Sequence, residues 1–166
     1  MPYSILVFNQ DPISEIIPEN VIAAVTESNY QTLCCQYGLD PALIESAKAH
    51  LRLIGPHDGD DPFFALAYGP ATQRPVLVYL LDLDQALRAE LAPVLATVPQ
   101  TIEAALRAAA QVVRVELGRA QLTDMGLLLA YELARWAAVK GSGLIHGLDG
   151  QCYRLNRHRA FLPVED

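Results

Sequence analysis

Residues Thr123 to Asn156, TDMGLLLAYELARWAAVKGSGLIHGLDGQCYRLN, constrain the fold more than any other stretch of the chain. Thr123 can cap a helix, and Asp124 sits favourably in its positive first turn. Met125, Leu129, Leu133, Trp136 and Ala137 then share one face at helical spacing. Leu127, Leu128, Ala130, Ala134 and Ala138 carry the apolar surface almost all the way round. Only Glu132, Arg135 and Lys140 are charged, so the helix is expected to be buried on most of its circumference. Lys140 suits the negative C-terminal end, and Gly141 is expected to supply the left-handed residue that stops the helix. Ser142-Gly143 leads into a strand from Leu144 to Leu148. Asp149-Gly150 is a strong two-residue hairpin signal, and Gln151 to Asn156 returns. Counting out from that turn sets Leu148 opposite Gln151, His146 opposite Tyr153 and Leu144 opposite Leu155, with Cys152 on the face away from His146.

At 166 residues, 52% of them hydrophobic, the chain is expected to form one domain, 1–166, with a real core. Its formal net charge of -7 argues against nucleic acid as a partner, because neutralising phosphate needs clustered Lys and Arg. The same charge suits a basic protein partner, since complementary charge speeds encounter. Three cysteines, Cys34, Cys35 and Cys152, do not make a disulfide framework and read as reduced thiols. The opening MPYSILVFNQDP lacks the basic segment of a signal peptide, and no charge-free apolar run approaches the ~18 residues needed to cross a bilayer. The expected location is cytoplasmic, with no membrane partner.

Elsewhere the pattern is coarser. Tyr3 to Phe8 reads as a strand, and Pro18 to about Ser28 as a helix with Val21, Ile22 and Val25 inward. Residues 29–38 are ambiguous between strand and irregular link. Asp40-Pro41 opens a helix expected to reach about Leu53. His57 to Pro62 is an acidic exposed loop, and Phe63 to Tyr68 and Val76 to Leu83 are strands. VLVYLLDL is apolar on both faces, so a central strand covered on both sides is expected. Asp84 caps helical segments at about 85–97 and 100–110, divided by prolines. Val112 to Leu117 alternates, with Val113, Val115 and Leu117 inward and Arg114 and Glu116 outward. The tail after Asn156 is expected to be ordered only if Phe161 and Leu162 dock. The pattern predicts an α+β fold with a mixed or antiparallel sheet of about six strands packed by helices. It divides into two βαββ-like halves, 1–84 and 111–156, joined by a helical connector, 85–110.

Recognised catalytic and metal patterns are missing from this sequence. An EF-hand loop begun at Asp58 would put Phe63 and Gly69 where Gly and Glu belong; begun at Asp82 it meets Leu87 and Pro93. A lone divalent ion at Asp58, Asp60 and Asp61 is the weaker alternative to a solvated acidic loop. His50, His57, His146 and His158 show no paired metal spacing, and there is no CxxC, P-loop or GxSxG. Asp82 and Asp84 stand where a strand gives way to a helix, a favoured ligand edge in α/β enzymes. No cofactor is implied. Tyr131 and Trp136 read as core residues.

The helix with its small-residue stop followed by GLIHGLDGQCYRLN resembles the C-terminal part of small bacterial α+β families, some of them immunity proteins that neutralise toxins. The resemblance covers about 34 of the 166 residues, within the C-terminal third, and transfers no contact residues. It implies a non-enzymatic inhibitor of a basic toxin. Three readings follow. The first is a protein-binding domain using His57, Asp58, Asp60 and Asp61. The second is a small-molecule-binding domain or small enzyme with a pocket at Asp82, Glu116, His146 and Tyr153. The third is a homodimer joined edge to edge through the hairpin Leu144 to Leu155.

Overall fold

The computed structural model describes residues 3–27, 40–57, 59, 63–71 and 73–165. Among them, eight strands form one sheet: β1 (Tyr3–Asn9), β2 (Arg52–His57), β3 (Phe63–Ala67), β4 (Val76–Asp82), β5 (Gln111–Leu117), β6 (Leu144–His146), β7 (Cys152–Leu155) and β8 (Phe161–Pro163). Their order is β2-β3-β4-β5-β1-β6-β7-β8, and every neighbouring pair is antiparallel. Six α-helices among the described residues accompany them: α1 (Pro18–Thr26), α2 (Pro41–His50), α3 (Gln85–Glu90), α4 (Ala92–Leu95), α5 (Glu103–Ala108) and α6 (Asp124–Gly141).

The α+β class holds, with two more strands than expected. One is β2. The expected helix to Leu53 stops at His50, and Leu53 and Ile54 pair instead with Leu66 and Ala65. Cross-strand burial of Leu53 outweighs the local helical pattern there. Gly55, at φ +96, lies where the register with β3 shifts. The other is β8, formed because Phe161 docks edge-on against both Tyr131 and Tyr153.

The two halves are arranged differently from a repeat. Each begins with a central strand followed by helix and then a run of strands, the second run gaining β8 from beyond residue 156. The first run enters from the sheet edge (β2, β3, β4), whereas the second leaves toward the opposite edge (β6, β7, β8). β5 and β6 flank β1 on opposite sides and therefore run parallel, with α6 as the crossover between them. This placement also removes the edge-to-edge hairpin dimer, because β1 occupies the outer side of β6 and β8 that of β7.

Strand alternation divides the core in two. On one face, Ile5, Val7, Phe64, Leu66, Val78, Val113 and Val115 pack under α1, α2 and α6. On the other, Leu6, Phe8, Val112 and Leu144 pack under the 83–109 connector through Leu91, Ile102 and Leu106. As expected, α6 is buried nearly all round, and its Glu132 is 1% exposed and paired with Arg135 at 3.1 Å. Thr123 caps it by accepting the Gly126 N–H at 3.2 Å.

The stop at the end of α6 differs from expectation. Gly141 stays helical and Ser142 takes the left-handed position, at φ 52 and ψ 48. Both neighbouring glycines answer to a packing demand. A Cβ on Gly141 would lie 2.2 Å from Cγ of Asn9, and one on Gly143 2.2 Å from its Oδ1. Asn9 is wholly buried at the end of β1, and Gln10 and Asp11 both donate backbone N–H bonds to the Gly141 carbonyl at 3.0 Å. The close approach of β1 to the helix terminus thus selects glycine on both sides of Ser142.

Candidate functional site

The connector covers only part of the second sheet face. In β4, Val76, Val78 and Leu80 are buried toward the α6 side, while Leu77, Tyr79 and Leu81 are half-exposed on the reverse. The expectation that this strand is covered on both sides fails for that reason. A row of side chains crosses this open face. His57 stacks on Phe63 at 4.7 Å between ring centroids, Phe63 meets Tyr79 at 5.7 Å, and Tyr79 pairs with Arg114. Ile54, 41% exposed, extends the apolar surface along β2 at the sheet edge. Each arginine bordering the row is engaged: Arg114 with Glu90 at 2.8 Å, Arg74 with Glu116 at 3.0 Å, and Arg52 with the Gly69 carbonyl at 3.2 Å. His57 thus stands on a surface that it shares with Phe63 and Tyr79, a combination the sequence did not single out. Asp58, Asp60 and Asp61 lie outside the described residues.

A groove of about 790 Å³ lies where β4 ends, between the segment Pro12–Ile16 and α3. Leu80, Leu81 and Leu87 line it, with Asp82, Asp84, Glu90 and Arg114 among its polar groups. Asp84 accepts the Leu87 N–H at 2.8 Å and so caps α3, as expected. The segment opposite is fixed by Gln111, which is buried and holds both backbone polar groups of one residue. Its Oε1 accepts the Ile13 N–H at 3.0 Å and its Nε2 donates to the Ile13 carbonyl at 3.2 Å. A smaller hollow of about 230 Å³ lies beside the same segment, lined by Trp136, Lys140 and Glu15.

The four residues of the expected alternative pocket do not converge. Asp82 lines the groove, but Glu116 lies toward the other end of β5, opposite Leu77 and paired with Arg74. Tyr153 faces the α6 side opposite Ile145, and its hydroxyl donates to Asp149. Tyr131 accepts the Leu148 N–H at 3.1 Å, so two tyrosines fasten the hairpin loop. His146 pairs with Cys152, not Tyr153. The cause is the turn: Gly150 donates to Gly147 and Asp149 accepts the Gln151 N–H, which places Asp-Gly late in a longer loop and moves the register by one.

That shift brings His146 and Cys152 onto one face, contrary to the sequence reading. The environment nonetheless keeps both neutral. Burial, helped by the negative charge of Asp149, pushes the Cys152 thiol up. Burial pulls the His146 imidazole down from its ordinary value of 6.5, with Asp149 opposing. A nucleophilic Cys needs the reverse, a stabilised thiolate beside a protonated base. Below about pH 6.5 the unfolded chain takes up a proton that folded His146 resists, so this residue lowers stability as the pH falls and is without effect well above 6.5. His146→Gln is expected to unfold less readily at pH 5.5, relative to wild type, than it does at pH 7.5. Urea denaturation at the two pH values measures this, and an equal difference at both would refute it.

Among the described residues, no group of three or more His, Cys, Asp or Glu is placed to hold a metal ion. No helix among them is long and apolar enough to cross a membrane. The fold and site define an α+β domain with one eight-stranded antiparallel sheet, a half-open face and a groove at its strand ends. Comparison with family models, with curated proteins and with solved structures finds no match.

Proposed function

We propose that this protein is a non-enzymatic protein-binding domain whose contact surface is the open face of β2, β3 and β4. The row His57–Phe63–Tyr79 carries the reading. Aromatic side chains half-exposed on a rigid sheet supply contact area at small cost in side-chain freedom, and such residues dominate binding energy at interfaces. The favoured partner is basic. The chain carries a net charge of -7, Asp58, Asp60 and Asp61 follow His57 directly in sequence, and the arginines along the row already have acceptors. A secreted or injected basic toxin, neutralised as the immunity-type resemblance implies, is the particular case to try first.

Capture from the native host's lysate is the test, run with wild type beside Ile54→Glu and Tyr79→Ala. A stoichiometric basic partner lost from both variants, with their thermal unfolding near that of wild type, is the expected result. Reversing Asp58, Asp60 and Asp61 together is expected to slow association and leave stability unchanged. A partner retained by all the variants, or no partner at all, would overturn the reading.

A further inference from the structure

We propose that the groove at the end of β4 binds an organic cation, an alkylammonium or guanidinium group carried on an apolar stem. Its volume of about 790 Å³ lies within the ordinary range for small-ligand sites, about 300–1,000 Å³. Its wall is preformed, because Gln111 holds both polar groups of Ile13. Leu80, Leu81 and Leu87 offer apolar lining for a stem. The charges around it are unbalanced: Asp82, Asp84 and Glu90 face a single cation, Arg114, which Glu90 already holds at 2.8 Å. The Asp82 carboxylate is exposed at the end of β4 and has no hydrogen-bond or ion-pair partner among the described residues, so one negative charge at the rim of a partly apolar concavity is uncommitted. An anion is repelled there. A neutral ligand makes no use of the free carboxylate of Asp82, and a bare metal ion makes no use of the leucines. A cation with a hydrocarbon stem answers both features. It can come free in solution or as a Lys or Arg side chain of a bound protein.

The test uses the full chain and three probes: n-pentylamine, n-pentanol, and the blocked peptide acetyl-Gly-Arg-Gly-amide, followed by amide NMR shifts. The amine is expected to bind in the millimolar range appropriate to so few atoms and to shift Leu81, Leu87 and Ser14. It is expected to bind roughly tenfold more tightly than the alcohol. Asp82→Asn is expected to weaken the amine about fivefold. Asp84→Asn, which keeps a capping side chain on α3, is expected to weaken it as well. The peptide binding more tightly than the amine assigns the site to a protein's side chain; the reverse assigns it to a free amine. Equal binding of amine and alcohol, no effect of either substitution, or shifts confined to other residues would each overturn the assignment. The assay involves neither Ile54 nor Tyr79, so its failure leaves the open-face reading standing, and failure of that reading leaves this one intact.

Discussion

Replacing Trp136 with alanine is expected to remove about 4 kcal/mol from the free energy of unfolding, a large share of the roughly 5–15 kcal/mol typical of a domain. The indole is 6% exposed and meets the Phe64 ring edge-on at 5.6 Å, joining α6 to β3 across the main core. Its Nε1 has no hydrogen-bond partner among the described residues, so the loss is one of packing. The hollow of about 230 Å³ already beside it would open into the space the ring leaves. Urea denaturation with unchanged slope would measure the loss as a lower midpoint. A change below about 1 kcal/mol would mean that the segment Pro12–Ile17 falls inward and fills the void, a degree of relaxation unlike that of most cores.

Gly143→Ala is expected to cost about 3 kcal/mol, at the upper end of overpacking penalties. The added methyl would sit 2.2 Å from Oδ1 of Asn9 and 2.9 Å from a methyl of Val7. Asn9 is fully buried and cannot swing its amide into solvent. The backbone of Gly143 has no positive φ, so strain of the chain itself does not enter. The Asn9→Ala background therefore separates the causes. With the amide gone, the penalty for Gly143→Ala is expected to fall by at least half, a coupling that a double-mutant cycle reads directly. Additive losses would place the cause elsewhere than in this contact.

What was legible in the sequence was local chemistry. Thr123 and Asp84 act as caps, the alternation of Val113, Val115 and Leu117 is real, and the wide apolar girth of α6 is matched by burial on nearly every side. What was not legible depended on partners distant in the chain. Arg52 to His57 carries only a weak strand pattern, and its conformation is set by β3. Leu77, Tyr79 and Leu81 are apolar yet lie on a face that the connector leaves partly open; periodicity registers their polarity and is blind to cover. The hairpin was correct in kind and wrong by one residue. Asp149 bonds to Gln151 and to Tyr153, and these two contacts select the longer loop. At the site, the sequence marks His57 but not the aromatic rings beside it, and the sheet keeps Asp82 apart from Glu116, His146 and Tyr153.

The strand order has a consequence for how the chain can be made. Tyr3 to Asn9 finds its partners only in Gln111–Leu117 and Leu144–His146. At a synthesis rate of about 5–20 residues per second, this first strand waits on the order of ten seconds before either neighbour exists. During that wait its apolar run, Ile5 to Phe8, has no sheet to enter. The three strands β2, β3 and β4 can associate earlier, but their meander is completed only when β5 is laid beside β4. Maturation is therefore gated by the second half of the polypeptide, and a nascent chain halted near residue 110 is an aggregation hazard and a natural client for a holding chaperone.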